Sequence, residues 1–304
     1  MGDPLRLDGA VAVVTGAGNG LGRAEALALA AAGARLVLND LRGDAVQAVA
    51  QEIRESGGEA VVCAGDVGEW ATGQAVLTSA LGTYGDLNIL VNNAGVLRDR
   101  MIFSMSEHEW DLVVRVHLRG HFVTTRFATA YWRERSKAAG APVYGRIVNT
   151  SSEAFLLGSA GQPNYAAAKA GIVALTVATA RGCARYGVLA NAICPRARTA
   201  MTEELMGSAP GGGDPLSPGH VAPLVTYLAS PAAARITGEV FVVHGAVAAV
   251  LAPPTVRASF RADGAWSAAA LHERFRTLFD TDPPRPGFAC EATLPLADST
   301  FGEP

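Results

Sequence analysis

Tyr165 and Lys169 stand four positions apart in an alanine-rich stretch, a spacing that puts both side chains on one face of a helix. A phenol with its ordinary pKa near ~10 is a poor base at neutral pH, and a neighbouring ammonium favours the phenolate. The pair is therefore equipped for proton transfer at an oxygen. A tyrosine four residues before a lysine also arises by chance. Against chance, Lys169 is one of only two lysines in the chain, the other being Lys137, and nothing else in the stretch calls for a charge. Ser152 follows an apolar run at 146–149; its hydroxyl can support the same oxygen or simply cap a helix.

A second group of residues points to phosphate. Thr15, Gly16, Ala17, Gly18, Asn19, Gly20, Leu21 and Gly22 follow an apolar run at 11–14 and open a stretch rich in alanine and leucine. Glycines let the backbone turn sharply and approach a pyrophosphate, and a helix N-terminus offers free N–H groups and a positive dipole end. The same glycines also make an ordinary tight turn. What favours a dinucleotide is the strand before, the helix after and an acidic residue about 20 positions on, here Asp40. A carboxylate there accepts hydrogen bonds from ribose hydroxyls and repels a 2′-phosphate, unless it only caps a turn. Asn19 is neutral and Arg42 is less well placed than Asp40, so the balance favours NAD over NADP. His117 and His121 have a metal-compatible spacing, but no third ligand and no zinc-protease glutamate accompany them, so no metal is expected.

These residues need a scaffold, and its elements are legible. Short apolar runs at 11–14, 35–39, 60–63, 88–91, 146–149, 189–194 and 240–243 alternate with helical segments near 21–32, 44–56, 69–82, 107–135, 164–186 and 219–229. Apolar strands separated by helices predict an α/β fold, a doubly wound parallel sheet of seven strands with helices on both faces. Two stretches break the pattern. Residues 196–218 hold Gly211, Gly212, Gly213, Pro210, Pro215 and Pro218, a composition suited to a loop, with Met201, Leu205 and Met206 as an adaptable apolar wall. Beyond about 250 prolines accumulate, yet Leu271, Phe275, Leu278 and Phe279 repeat at helical spacing, with Ser267 as cap. Residues 1–250 therefore read as one domain and 251–304 as a C-terminal extension with one amphipathic helix, whose apolar stripe should be buried on the domain or on another subunit.

The 304 residues are 49% hydrophobic and 17% charged with a net charge of −3; the charged share lies below the usual ~25%, a hint of surface buried in an oligomer. No basic stripe speaks for nucleic acid or a membrane surface, and no apolar run approaches the ~20 residues of a membrane helix. The start, MGDPLRLDG, carries no apolar leader, and Cys63, Cys183, Cys194 and Cys290 show neither a disulfide framework nor ligand spacing. A cytoplasmic protein is the expectation.

The glycine loop, Asn92-Asn-Ala-Gly95, Ser152 and Tyr165-Ala-Ala-Ala-Lys169 together resemble the motifs of the short-chain dehydrogenase/reductase family, in its order and spacing over residues 8–250. The resemblance implies a Rossmann-type domain with a seven-stranded parallel sheet, assembled as a homo-oligomer, dimer or tetramer, through the helices at 107–135 and 164–186. Within that family, Leu38-Asn-Asp-Leu41, Leu97-Arg-Asp-Arg100 and Arg115-Val-His-Leu-Arg-Gly120 are similar to the dehydrogenase unit of the type 2 peroxisomal multifunctional enzymes, or 17β-hydroxysteroid dehydrogenases type 4. Residues 144–153 and 195–201 are similar to actinobacterial relatives of that group. This implies NAD-dependent oxidation of a bulky secondary alcohol, an acyl-CoA or steroid substrate: a 3-hydroxyacyl-CoA or a 17β-hydroxysteroid. A 3-oxoacyl reductase working with NADPH would use the same catalytic set. A non-catalytic dinucleotide sensor would normally lose Tyr165 or Lys169.

Carried over residue by residue, the resemblance makes Tyr165 the general acid/base. Lys169 is the ribose ligand that lowers the tyrosine pKa, and Ser152 the donor to the reacting oxygen. Gly16, Asn19, Gly20, Leu21, Gly22, Asp40, Asp66, Val67, Asn92, Ala94, Gly95 and Thr199 become the remaining cofactor residues. Two departures stand out. His117 occupies the place of a catalytic asparagine, as a relay or as a structural histidine. Arg196 replaces the usual glycine after the proline of the sixth strand, which bears on contacts such as that of Thr199.

Overall fold

The computed structural model describes residues 3–202, 207 and 214–284. Strands and helices alternate as β1 (Val11–Thr15), α1 (Gly20–Ala31), β2 (Arg35–Asn39), α2 (Gly43–Glu55), β3 (Ala60–Val62), α3 (Trp70–Tyr84) and β4 (Ile89–Asn92). The second half runs α4 (Glu107–Val114), α5 (Gly120–Ala139), β5 (Gly145–Thr150), α6 (Ala154–Leu157), α7 (Pro163–Cys183), β6 (Val188–Pro195), α8 (Ala222–Ala229), β7 (Val240–His244), β8 (Val247–Val250) and α9 (Ala268–Thr281). The sheet order is β3-β2-β1-β4-β5-β6-β7-β8, with β1 to β7 parallel. This is the doubly wound arrangement, in which the chain crosses from β3 over to β4 beside β1 and opens a crevice at the strands' carboxyl edge.

Two apolar layers hold the sheet. Ala12 and Val14 of β1 join Leu36 and Leu38 of β2 under α1, α2 and α8, through Ala26, Leu29, Val49, Ile53, Val225 and Leu228. Val11 and Val13 point the other way and meet Val76, Ala128, Trp132 and Ala180 of α3, α5 and α7. Alternate residues of one strand thus feed both layers, which is why these strands read as unbroken apolar runs. The buried Trp132 donates its indole N–H to the Leu87 carbonyl at 2.6 Å, so its one polar atom is satisfied.

The sheet has eight strands where seven were expected. Gly245, at φ 48°, reverses the chain after β7, and β8 pairs back antiparallel from His244↔Val247 to Phe241↔Val250. A left-handed turn residue is what glycine supplies without strain, and the apolar run 240–252 hid the reversal. The expected long helix at 107–135 is also interrupted: Arg115–Arg119 forms a π-helical turn between α4 and α5. In the extension, α9 forms where its spacing predicted, with Ser267 Oγ accepting the Ala270 N–H at 3.1 Å. Its stripe is not buried within the chain. Phe275 and Phe279 stay exposed; Phe275 packs on Phe260, and Arg257 pairs with Asp282 at 2.5 Å.

One buried group has no evident partner. Glu25 of α1 is fully buried, both carboxyl oxygens lack hydrogen-bond partners among the described residues, and burial pushes its pKa from 4.5 up to about 8. The folded chain therefore keeps a proton that the unfolded chain releases above pH 4.5, and stability from this group is lost as pH rises toward 8. Glu25→Gln removes that dependence. In urea unfolding, wild type and variant should match near pH 4, and the variant should gain up to ~1.4 kcal/mol per pH unit above it until the carboxyl ionises. Parallel stability curves from pH 4 to 9 would mean that Glu25 is solvated.

Candidate active site

The glycine loop packs too closely for side chains. A Cβ on Gly22 would overlap the Gly16 carbonyl, and one on Gly16, at φ 64°, would lie 2.8 Å from Ala94 Cα. Asn93, unremarked in the sequence beyond its motif, braces the loop: its Nδ2 donates to the Thr15 and Gly16 carbonyls, both at 3.3 Å. Asn19 is the exposed N-cap of α1, and its side chain makes no capping bond. The first N–H groups of α1, with Gly20, Leu21 and Gly22 among them, begin an exposed helix end of the kind that receives an anion. Thr199 arrives from the loop after β6 and sets its methyl 3.0 Å from where a Gly20 Cβ would stand. It closes over the loop.

Asp40 follows β2 directly, and its Oδ2 accepts the Gly18 N–H at 2.9 Å while Oδ1 accepts the Arg42 N–H at 3.1 Å. The carboxylate thus stands beside the glycine turn, and it also caps a turn. Asp66 accepts the Gly68 N–H at 2.8 Å and pairs with Arg115 at 2.7 Å, while Val67 is buried against Gly120. Ala94 and Gly95 lie at the end of β4, facing Gly16 and His117. Asn92, expected to line the cleft, is the last residue of β4; its side chain is buried, donating to Thr125 and Asn149 and accepting from Thr124 at 2.6 Å.

At the carboxyl end of β5 the second group assembles. Lys169, 2% exposed, donates from Nζ to the Thr150 carbonyl at 2.6 Å and lies 5.3 Å from the centre of the Tyr165 ring. Burial lowers its pKa to about 7. Burial likewise raises the Tyr165 phenol to about 12, against which the hydrogen bond with the Ser152 side chain pulls down. Desolvation of the phenolate is the largest influence on the tyrosine in the free chain. As it stands, Tyr165 holds its proton.

His117 sits on the π-helical turn, which aims its ring inward. The ring meets Tyr165 edge-on at 5.1 Å and fills the place where a Gly95 Cβ would go. Its Nε2 takes the Val96 N–H at 3.0 Å in one tautomer or donates to the Val96 carbonyl at 2.8 Å in the other. Burial, then the charge of Lys169, hold its pKa well below 6.5, so the imidazole is neutral. His121 is also buried, and burial lowers it to about 3. Among the described residues no group of three metal-binding side chains occurs.

Three residues near the site make contacts that the sequence reading did not assign. Asn164 donates to the Arg98 and Glu109 carbonyls and accepts the Tyr165 N–H at 2.7 Å, fixing the start of α7. Glu153 and Arg196 form a buried ion pair beside Ser152. Asn164 stood next to the tyrosine in its motif and could have been suspected; the pair, far apart in the chain, left no local signal. Met201 is exposed, while Leu205 and Met206 lie outside the described residues.

The geometry can exchange a proton at an oxygen beside a dinucleotide cleft, and the comparisons agree. The sequence profile of the short chain dehydrogenase family matches residues 10–208. The chain is 53% identical over 294 residues to hydroxyacyl-CoA dehydrogenase ChsB1 of Mycobacterium tuberculosis, covering 93% of this chain and 92% of that one. It is 42% identical over 237 residues to peroxisomal multifunctional enzyme type 2 of Mus musculus, 75% of this chain but 31% of that protein, so it spans about a third of that relative. A crystal structure of a short chain dehydrogenase from Mycobacterium avium superposes with a TM-score of 0.84 at 45% identity, over 92% of this chain and 97% of that one. Among the described residues no helix is long and apolar enough to cross a membrane. With fold and sequence in agreement with these relatives, the chain belongs to the short-chain dehydrogenase family, whose members are oxidoreductases acting on CH–OH groups with a nicotinamide dinucleotide.

Proposed function

We propose that this protein uses NAD to oxidise the secondary alcohol of a bulky lipid substrate, a 3-hydroxyacyl-CoA or a 17β-hydroxysteroid, in lipid or sterol degradation. The observation that carries this reading is the 53% identity to a hydroxyacyl-CoA dehydrogenase across nearly the whole of both chains. The residues present fit the dinucleotide. Gly16 and Gly22 let the turn close on Ala94 and on itself where any Cβ would collide, leaving backbone N–H groups for a pyrophosphate, and Asp40 stands at the end of β2 beside Gly18. Asn19, Gly20, Leu21, Asp66, Val67, Asn92, Ala94, Gly95, Thr199, Tyr165 and Lys169 would complete the site.

When bound, an oxidised nicotinamide would supply a hydride acceptor and a positive ring charge. The protein's own part is the proton. Tyr165 Oη would take it from the alcohol, and the Ser152 hydroxyl would donate a hydrogen bond to the same oxygen as it becomes a carbonyl. Lys169, anchored on Thr150, would keep a positive charge near both. His117, neutral and packed edge-on, would set the plane of the phenol rather than carry a proton. One observation favours a second reading: a phenol held at about 12 is protonated in the free chain, the form from which ketone reduction starts. Asp40 speaks against NADPH for that direction, since its carboxylate would meet the 2′-phosphate.

A spectrophotometric panel of NAD and NADP against 3-hydroxyacyl-CoAs, 17β-hydroxysteroids and small secondary alcohols tests the proposal. Turnover should be highest with NAD and the bulky alcohols, and Asp40→Ala should narrow the cofactor preference mainly by weakening NAD. Wild-type activity confined to NADPH and short 3-oxoacyl thioesters would overturn it. Tyr165→Phe should lower kcat by about 10³-fold while leaving the Kd for NAD within a few-fold, because it deletes one proton acceptor. His117→Asn should change the amplitude of the pH–kcat profile but not the position of its acid limb between pH 5.5 and 8. A limb near pH 6.5 that disappears in the variant would make His117 a titrating relay after all.

A further inference from the structure

Glu153 and Arg196 form a two-pronged ion pair, Nε to Oε2 at 2.5 Å and Nη2 to Oε1 at 2.9 Å, with side chains only 9% and 6% exposed. Removing two charges from water is expensive, and a buried pair of this kind contributes little or nothing net to stability compared with an apolar pair of the same size. What it does supply is position. A fork of two charge-assisted bonds fixes both distance and plane.

The position concerned is that of Ser152. Glu153 is its immediate neighbour and opens α6, its carbonyl accepting the Leu156 and Leu157 N–H groups at 2.9 and 3.0 Å. On the other side, Ser151 donates from Oγ to the Lys169 carbonyl at 2.9 Å and from N to the Ile193 carbonyl at 2.7 Å. Arg196 follows Pro195 at the end of β6, and its N–H donates to the Val243 carbonyl of β7 at 3.0 Å. The neutral imidazole of His244, at the end of β7, is buried within the field of both charges. The carboxyl ends of β5, β6 and β7 are thereby joined around one hydroxyl, whose Oγ accepts the Ala154 N–H at 3.2 Å and bonds the Tyr165 side chain.

We propose that Glu153 and Arg196 are positioning residues for the reaction: their ion pair holds the Ser152 hydroxyl on the reacting oxygen. Arg196, where the family pattern has a glycine, is the half of the clamp that reaches across from β6. The clamp rests on the assignment of Ser152 as the oxygen's hydrogen-bond donor but not on which alcohol is the substrate.

The test uses the full-length protein and three variants: Glu153→Gln, Arg196→Lys, and the apolar double replacement Glu153→Met with Arg196→Met. Glu153→Gln should lower kcat by about 100-fold, the size expected for a misplaced group, with KM and the Kd for NAD within about threefold. Arg196→Lys, which keeps the charge and loses the fork, should fall between it and wild type. Glu153→Gln leaves a buried charge unpaired and could fail to fold. The double replacement removes both charges, so its Tm should be near wild type while kcat stays low. Turnover is compared on whichever alcohol of the panel the wild type oxidises, so a different substrate class changes the assay and leaves the ratio of variant to wild type just as informative. A double replacement that turns over like wild type overturns the proposal. So does its crystal structure if Ser152 keeps its bond to Tyr165, a result that needs no substrate at all.

Discussion

A buried ammonium with no ion-pair partner among the described residues governs the arrangement around it. Lys169 is 2% exposed and its one strong bond is to the Thr150 carbonyl, at 2.6 Å. Desolvating an ion of that size carries a penalty of several kcal/mol even after relaxation, which is why its pKa falls to about 7. The two neighbouring histidines answer to that charge and to the same dryness. His117 and His121 are held neutral, each by burial first and by Lys169 next. The Tyr165 phenol, desolvated in its turn, keeps its proton. At rest, the histidines and the phenol around Lys169 are therefore neutral, and Lys169 itself titrates near pH 7.

The sheet provides the rigid frame that such a site needs. The crossover from β3 to β4 places the carboxyl ends of β1 and β4 side by side, where Gly16 meets Ala94 at a distance that excludes a side chain. On one side of this crevice lie the glycine loop and Asp40; on the other, Ser152, Tyr165 and Lys169. The strap after β4 ties the two together: the Arg98 carbonyl accepts from Asn164, and the Arg100 N–H donates to Gly161 at 2.8 Å. Tyr165 is thus held through its own backbone, through Asn164 and through the ring of His117. The π-helical turn at Arg115–Arg119 makes that last contact possible by turning a histidine inward between two helices that otherwise run on.

By itself the sequence determined whatever depends on spacing within one element. The apolar runs of β1 to β7, the glycines of 16–22, the end-of-strand position of Asp40 and the shared face of Tyr165 and Lys169 all follow from periods of two or of 3.6 and from turn chemistry. Tertiary structure decided what depends on neighbours distant in the chain. It folded β8 back at Gly245 within one apolar run, tied Asn92 into a buried network with Thr124 and Asn149, and brought Thr199 onto Gly20. It paired Glu153 with Arg196 across two strand ends. It also took water from the Tyr165 phenol, which raises its pKa, and from the Lys169 ammonium, which lowers its own. Spacing records which charges are near one another. How much water has been taken from them is set only when the core closes, and at this site desolvation is the larger effect.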